Sequence, residues 1–384
     1  MRILHVAHSI DPSRGGPPVV VARLASEQAI RGHDVFVAAC HGISNEHASR
    51  MFRTLRGGDQ VRVLCEPLGD GLSKLLRASW PHSLDRVDFV HLHEFWVPGL
   101  WSVAAGARRR SIPYGLSPHG TLGKHHLAHK SRKKAIGLLL GGSRMIRGAS
   151  FIQAFTAIEA DEMRSVVADV PIAIIPNGVE IGEFSCVRRE VGAPVGLGVP
   201  ESSRYLLFLA RVSPQKGVDI LIDAFRRVAA DHPDVHLVIA GPDYGAMAKL
   251  QDFVKLNDLD RRVHFPGPIS GSLKYAALSG AWATCLISHF EGFSMTLLES
   301  LAAGTPVIAS DRCNFPEISA AGVGIVVQCE VANTEASLRL MLSDHQRRHE
   351  MASRCREFVA SRYSVERVAD EMHACYVQAV NQRV

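Results

Sequence analysis

The sequence predicts an α/β protein with two doubly wound, mostly parallel sheets, and three observations lead to this fold class. A chain of 384 residues is too long for one ordinary core and suits two domains of similar size. Short apolar, β-rich runs alternate with longer amphipathic segments, as expected where crossover helices join parallel strands. The alternation pauses once, over residues 186–203, and then begins again. Two successive sheet domains are therefore expected.

In the first domain, predicted as residues 1–185, helical patterns separate the expected strands. These strands cover residues 3–7, 35–39, 61–65, 89–93, 151–154 and 173–175, with another ending near Ser117. Residues 186–203 follow as a linker, because this segment is rich in Gly, Pro and Ser and shows no clear period.

The second domain is predicted over residues 204–362, where the same alternation returns. Its expected strands cover residues 205–210, 236–240, 263–265, 284–287, 307–309 and 324–327. Tyr363 and Ser364 interrupt a charged helical stretch, so residues 363–384 are expected to form a helix that packs back on the first domain. Ligands of such proteins bind at the carboxyl ends of the strands, and we expect a deep cleft between the two domains to hold them.

The composition argues against several classes of protein. A content of 47% hydrophobic and 21% charged residues is typical of a compact globular chain, and no run approaches the ~20 apolar residues that span a bilayer. The N-terminal residues are interpreted as a first strand and not as a signal peptide, so a cytoplasmic protein is expected. Eight cysteines without a C-x-x-C pair argue against a zinc or redox centre, and a net charge of +5 is too mild to indicate nucleic-acid binding.

The first expected strand leads into Gly15 and Gly16, which precede a helix. Glycine lets backbone N–H groups approach an anion at the positive end of a helix. The spacing is not G-x-G-x-x-G, which argues against a nicotinamide cofactor. For these glycines alone, a plain strand-to-helix turn is an equally good interpretation.

Two cations and two carboxylates follow strands of the second domain. Arg211 and Lys216 lie in ARVSPQKG after its first strand, where they suit a diphosphate, although alone they would fit a solvated surface pair. Glu291 lies in the turn that opens FEGFSMTLLES, and Glu299 lies about two turns into the following helix. Because a carboxylate can bind two vicinal hydroxyls, one glutamate suits a sugar ring and the other a ribose.

These motifs resemble those of glycosyltransferase family 4, whose members have the two-domain, Rossmann-like fold called GT-B. The resemblance covers nearly the whole chain and includes HLHEFW, SPHGTL, IPNGV, ARVSPQKG, IAGPDYG, VHFPG and FEGFSMTLLES. Two glutamates with seven residues between them are the signature of that family, here Glu291 and Glu299. The resemblance implies a retaining, metal-independent enzyme that uses a nucleotide-sugar donor and no cofactor.

The resemblance also implies a role for each matching residue. Glu291 would bind hydroxyls of the donor sugar and Glu299 the ribose. Arg211 and Lys216 would bind the diphosphate and, with Glu291, act in catalysis. The other donor contacts would come from Pro268 and Ile269 near the base, from the backbone of Gly292, Phe293 and Ser294, and from Gly16 at the distal phosphate.

In the first domain, SPHGTL places His119 just beyond the strand that ends near Ser117. A histidine at the carboxyl edge of a sheet is well placed to meet a ligand. By the resemblance, His119 would lie against the transferred sugar as a catalytic residue. His91 and His93 share one face of their strand. For His93, nearer the strand end, an acceptor or donor contact and simple packing are equally good interpretations.

A basic segment begins at Lys124 and ends at Lys134. His125 and His129 within it have an i,i+4 spacing, but the segment offers neither H-E-x-x-H nor a carboxylate, so no metal is expected. A solvated basic face is one interpretation. The other is a peripheral contact with an anionic inner-membrane surface or a lipid diphosphate acceptor.

The predicted reaction moves a hexose from a UDP- or GDP-sugar to a glycan or a lipid-linked glycan, with retention at the anomeric carbon. The resemblance suggests a role in bacterial exopolysaccharide, O-antigen or cell-envelope polysaccharide synthesis. Two alternative functions are compatible with the same fold: a nucleotide-sugar epimerase, and a non-catalytic partner in a glycan-synthesis complex. The intact ARVSPQKG and FEGFSMTLLES segments favour transfer over both.

Overall fold

The computed structural model of the chain describes residues 1–11, 16–40, 44, 46, 51–65, 86–123, 126–127, 131–167, 169–185 and 193–382. The chain divides into two compact units. The first unit contains Met1–Gly178 together with Val365–Val384, and the second contains Val179–Ser364. Each unit has a parallel sheet of its own, as the alternating pattern predicts.

The first unit is built on a 7-stranded sheet with the order β3-β2-β1-β4-β5-β6-β7. Its strands are β1 (Arg2–Ala7), β2 (Asp34–Ala39), β3 (Arg62–Leu64), β4 (Phe89–His93), β5 (Tyr114–Ser117), β6 (Phe151–Ala154) and β7 (Ile172–Ile174). Its helices before the crossing to the second unit are α1 (Gly16–Ile30), α2 (Pro98–Arg109), α3 (Ser131–Gly137), α4 (Ser143–Gly148) and α5 (Ala157–Val167).

Strand β2 shows why apolar runs locate the strands so well. Val35 and Val37 belong to one hydrophobic cluster, whereas Phe36 and Ala38 belong to another. Successive side chains of a strand point to opposite faces, so this sheet is covered on both sides. A strand buried on both faces has a nearly continuous apolar sequence, and that continuity marks it among the amphipathic helices.

The second unit is built on a 6-stranded sheet with the order β10-β9-β8-β11-β12-β13. Its strands are β8 (Arg204–Leu209), β9 (Val235–Ala240), β10 (Val263–Gly267), β11 (Ala283–Leu286), β12 (Val307–Ser310) and β13 (Gly324–Val327). Its helices are α6 (Gly182–Ser185), α7 (Val218–Val228), α8 (Met247–Leu256), α9 (Gly271–Gly280), α10 (Met295–Ala302), α11 (Glu317–Ala320), α12 (Val331–Ser343) and α13 (His345–Arg362). The doubly wound, Rossmann-like fold class is confirmed for both units.

The second unit begins before the expected linker of residues 186–203. Val179 and Phe184 are almost completely buried in the core of the second unit. The backbone N–H of Val179 donates to the carbonyl oxygen of Tyr363 at 2.9 Å, and the Tyr275 hydroxyl donates to Glu183 at 2.9 Å. These contacts join residues distant in sequence, so a local composition shift does not reveal them.

The C-terminal helix α14 (Val365–Asn381) belongs to the first unit. Tyr363 is the C-cap of α13, with φ −129° and ψ 16°, and α14 begins two residues later. The ring of Tyr376 stacks on Phe89 with centroids 4.2 Å apart, and Met372 packs in the same cluster. In the described part of the chain, no helix is long and apolar enough to cross a membrane.

Candidate functional site

The strand order of the second sheet reverses between β8 and β11, which are direct neighbours. Strands β9 and β10 lie on one side of this pair, and strands β12 and β13 lie on the other. Where the order of a parallel sheet reverses, the loops after the two central strands diverge and leave a crevice at their carboxyl ends. The loop after β8 carries Arg211 and Lys216, and the loop after β11 carries Glu291.

Lys216 and Glu291 form an ion pair between these two loops. The Lys216 side chain is only 9% exposed and that of Glu291 15%, so water screens the pair weakly. The Ser288 hydroxyl lies 3.4 Å from the same carboxylate oxygen of Glu291. The Glu291 backbone is fixed as well, because its carbonyl accepts from Asn314 Nδ2 at 2.9 Å and its N–H donates to the Arg312 carbonyl at 3.0 Å.

Gly217 allows the Lys216 loop to pass close to β11. Its φ of +60° lies in the left-handed region, and a Cβ at this position would lie 1.9 Å from the carbonyl oxygen of Ile287. Only glycine satisfies both requirements without a shift of the backbone. Residue 217 therefore determines how closely Lys216 approaches the end of β11.

We expect Gly217→Ala to lower the free energy of unfolding by about 3 kcal/mol or more and to weaken donor binding, because the added methyl group collides with backbone. Gly245→Ala is the matched control. Gly245 has φ +88°, but a Cβ there would meet nothing within 4 Å. This control should lose only about 1 kcal/mol from the left-handed conformation. Equal losses in urea denaturation of the two variants would contradict the close-approach argument.

Arg211 lies in the same loop after β8 and is exposed. Its guanidinium lies over the ring of Tyr244, 5.2 Å from the centroid, within the range of a cation–π contact. A backbone hydrogen bond joins the loops that carry Arg211 and Tyr244, because the Tyr244 N–H donates to the Val212 carbonyl at 2.8 Å. Tyr244 thus orients a cation that the sequence predicts to bind phosphate.

Glu299 lies on α10 and is buried, with an ion pair to Lys274 of α9 at 2.6 Å. The first turn of α10 is fixed by Ser294, whose hydroxyl accepts from the Leu297 N–H at 3.4 Å. Thr296 ties the same turn to β8, because its hydroxyl donates to the Leu209 carbonyl at 2.8 Å. Lys274 was not predicted, since one lysine on a helix carries no motif.

The other residues predicted on this unit lie at loop positions near the strand ends. Pro268 is exposed directly after β10, and Ile269 packs partly against the core. Gly267 before them has φ +79°, and its carbonyl accepts from the Gly241 N–H at 2.9 Å. Gly292 is partly exposed, whereas Phe293 packs its ring on the core with its neighbour Ser294 buried.

His119 of the first unit is half-buried and has a left-handed backbone, with φ +51°. Its Nε2 lies 3.3 Å from Nδ1 of His93, and Nε2 of His93 lies 3.0 Å from Nδ1 of His5. Burial lowers the pKa of His5 and of His119 to about 4, and it lowers the pKa of His93 well below the ordinary value. All three side chains are therefore neutral near pH 7.

His93 is almost fully buried and bonded on both ring nitrogens, which favours the packing interpretation over a direct ligand contact. Nitrogens of His5, His91 and His93 lie within 4.8 Å of one another, a spacing that a metal ion could use. Hydrogen bonds already join these nitrogens to neighbouring side chains, which is the arrangement of a structural network.

The glycine turn before α1 and the basic segment fall partly outside the described residues. Gly16 is the first residue of α1, but Gly15 lies outside them. In the basic segment, Lys124, His125 and His129 also lie outside, as does Lys130. Within the described remainder, Arg132 and Lys133 are exposed, and Lys134 lies over the ring of Trp96 at 5.5 Å.

Two family models match the chain in succession: Glycosyltransferase Family 4 over residues 14–183 and Glycosyl transferases group 1 over residues 194–358. The chain carries both domains of a GT-B glycosyltransferase. A D-inositol 3-phosphate glycosyltransferase of Kineococcus radiotolerans is 27% identical to it over 380 residues, covering 88% of this chain and 85% of that protein.

Two further comparisons agree with this assignment. A phosphatidyl-myo-inositol mannosyltransferase of Mycolicibacterium smegmatis is 33% identical over 190 residues, covering 48% of this glycosyltransferase and 46% of that protein. The crystal structure of HepE from Anabaena in complex with UDP is similar with a TM-score of 0.78 at 18% identity, covering 98% and 100% of the two chains. At this identity the structure supports the shared fold.

Proposed function

We propose that this glycosyltransferase moves a hexose from a UDP- or GDP-sugar to an acceptor hydroxyl, with retention at the anomeric carbon and without a metal ion. The observation that carries the proposal is the Lys216–Glu291 pair at the point where the second sheet reverses its strand order. A cation and a carboxylate held side by side suit the two halves of a nucleotide-sugar, its diphosphate and its hydroxyl-bearing ring.

In the proposed mechanism, negative charge gathers on the departing diphosphate while the sugar becomes oxocarbenium-like. Lys216 and Arg211 stabilise that charge, and the departing phosphate takes the proton of the acceptor hydroxyl. Glu291 orients the sugar ring through its hydroxyls, and Glu299 binds the ribose. His119 contacts the transferred sugar, and Gly16 meets the distal phosphate. These roles require the side chains to be preorganised, which the ion pairs of both glutamates favour.

The names of the relatives support an inositol phosphate or a phosphoinositide as the first acceptors to test. Both molecules present a ring hydroxyl beside a phosphate. A growing bacterial polysaccharide, on a lipid or free, is the alternative that the sequence motifs suggest. Either acceptor is compatible with the same donor chemistry.

A panel of nucleotide-sugars tests the proposal in two steps. The true donor should raise the melting temperature, because a ligand of the folded state stabilises it. It should then release nucleotide only when acceptor is added, at a rate unchanged by EDTA, and NMR of the product should show the donor's anomeric configuration. Epimerised sugar without acceptor would identify an epimerase, and no turnover with any donor would favour the non-catalytic partner.

We also propose a peripheral membrane contact beside the basic segment. Leu139 is 83% exposed and Leu140 61%, about two helical turns beyond the exposed Arg132 and Lys133. Apolar side chains next to cations are typical of surfaces that bind anionic bilayers. Neighbouring Ile136 adds to the apolar area, at 56% exposure.

Replacing Leu139 and Leu140 together by serine should weaken binding to anionic vesicles about tenfold or more in a sedimentation assay, because two leucine side chains that the bilayer would bury are lost. The matched control replaces Val195 and Leu256, which are 84% and 83% exposed on the second unit. Equal binding by both double variants would rule out this contact.

A further inference from the structure

A continuous line of hydrogen bonds crosses the interior of the first unit and ends at His119. It begins at a backbone carbonyl and passes through side chains of several strands, α1 and the C-terminal helix α14. In order, its members are the Ile175 carbonyl, Gln153, Ser117, His91, Tyr376, Gln28, His5, His93 and His119. At each contact in this line, one partner donates and the other accepts. The direction of the first hydrogen bond therefore determines the direction of all the others.

The direction is determined at the backbone end. The carbonyl oxygen of Ile175 can only accept, so Gln153 donates to it through Nε2 at 2.7 Å. The Gln153 amide then presents its oxygen to the Ser117 hydroxyl, which donates to it. With its proton used in that way, the Ser117 oxygen accepts from His91 Nε2 at 2.6 Å. His91 therefore carries its proton on Nε2.

The next contacts follow in the same sense. His91 Nδ1 has a lone pair, so the Tyr376 hydroxyl donates to it at 2.6 Å. The Tyr376 oxygen accepts from Gln28 Nε2 at 3.3 Å, which turns the oxygen of that amide toward His5. His5 donates to this oxygen through Nε2 at 2.7 Å. Its other nitrogen, Nδ1, must accept.

The last two contacts extend the pattern to the end of the line. His93 donates through Nε2 to His5 Nδ1 at 3.0 Å, and His119 donates through Nε2 to His93 Nδ1 at 3.3 Å. Burial keeps the pKa of every histidine in the line below its ordinary value, so each ring has a single N–H to assign.

We propose that this line fixes His119 as its Nε2–H tautomer and leaves Nδ1 as a hydrogen-bond acceptor for a hydroxyl group of the transferred sugar. Tyr376 and Gln28 are then positioning residues, which act on the ligand only through His119. The assignment of the tautomer is independent of activity. The contact with a sugar hydroxyl rests on the proposed function.

Nitrogen-15 NMR of histidine rings in the ligand-free full chain tests the tautomers directly. We expect His5, His91, His93 and His119 all to carry the proton on Nε2 near pH 7. In Tyr376→Phe the Gln28 amide loses its acceptor and can rotate by half a turn. Either its oxygen or its nitrogen can then face His5. The three histidines beyond Gln28 should then show both tautomers, whereas His91, still held by Ser117, should keep Nε2–H.

Tyr114→Phe is the matched control. Tyr114 is a buried tyrosine of the same unit whose hydroxyl donates to the Met145 carbonyl at 2.6 Å, outside the line. Its removal should leave all four tautomers unchanged. An Nδ1–H signal for His119 in the unmodified chain, or equal spectra for the two tyrosine variants, would overturn the proposal.

Kinetics separate the positioning role from the proposed function. Tyr376→Phe should lower kcat/KM for the donor about twofold to tenfold, since fewer molecules have the competent tautomer and the sugar contact is worth about one hydrogen bond. Tyr114→Phe should not. If the tautomers mix as expected but kcat/KM stays at the control value, the sugar contact of Nδ1 is wrong. If the unmodified chain transfers no sugar, the proposed function fails while the NMR result still decides the tautomer.

Discussion

Lys216→Met should lower kcat/KM by about a hundredfold to a thousandfold, the usual loss when a preorganised group that stabilises transition-state charge is removed. Glu291→Gln should also cripple turnover, because the amide keeps the shape of the carboxylate but loses its charge and one acceptor. Both single variants should also lose stability. Each leaves one charge of a largely buried pair without its partner, at a cost of about 2 kcal/mol after allowance for the remaining exposure.

The double variant Lys216→Met/Glu291→Gln separates stability from function. With both charges removed, no unpaired charge remains, so the free energy of unfolding in urea should return toward that of the unmodified chain. Activity should stay as low as in the worse single variant. If activity returned together with stability, the pair would be structural and the proposed site would be wrong.

A surface ion pair on the same unit provides the control. Arg226 and Asp223 of α7 are joined at 2.8 Å, with side chains 39% and 23% exposed. Arg226→Gln should cost less than about 1 kcal/mol, as exposed pairs usually do, and should leave kcat/KM unchanged. The contrast between the two pairs shows whether position at the strand ends, and not ion pairing itself, determines the kinetic effect.

The fold could be predicted from the sequence because strands that are buried on both faces of a sheet have nearly continuous apolar sequences. Strand β9 is Val235–Ala240, one residue longer than predicted, and strand β10 extends to Gly267, past a shift in register after His264. The second unit begins at Val179, before the predicted linker, whose residues 186–192 lie outside the described part of the chain. The packing of Val179 and Phe184 against the second core depends on tertiary structure, and composition does not report it.

The site could be predicted only in part, for a similar reason. The motifs place Lys216 and Glu291 on loops after separate strands, and the strand order then makes those strands neighbours. Lys274 had no motif, so its pair with Glu299 could not be anticipated. The line of hydrogen bonds that ends at His119 could not be predicted from the sequence either, because Tyr376 lies 285 residues after His91.

Acidification from pH 7 to pH 5 should destabilise the first unit strongly. Burial lowers the pKa of His5 and His119 to about 4, and it lowers the pKa of His91 and His93 well below the ordinary value of 6.5. As the pH falls below 6.5, the unfolded chain takes up protons that the folded unit does not, so stability falls with pH. For His5 and His119 this loss continues down to about pH 4.

His5 and His119 should each cost on the order of 2 kcal/mol at pH 5, and losses of this size are a large part of the whole stability of a domain. Hydrogen exchange of amides in β1 and β4, corrected for the intrinsic rate at each pH, measures the first unit separately. Amides in β9 report on the second unit, which has two histidines with a lowered pKa, His236 and His264, and should therefore respond less.

Two variants connect this pH dependence to the buried rings. His91→Gln removes one group that the folded unit keeps neutral. The slope of unfolding free energy against pH is set by the difference in bound protons between the unfolded and folded states, and this difference should fall by about one. The exposed His349 serves as the control for the loss of one histidine, through the variant His349→Gln. Equal slopes in both variants would mean that His91 does not contribute to the acid sensitivity. A smaller slope for His91→Gln would show that keeping the buried rings of this line neutral lowers the stability of the first unit, and that the loss of stability increases as the pH falls.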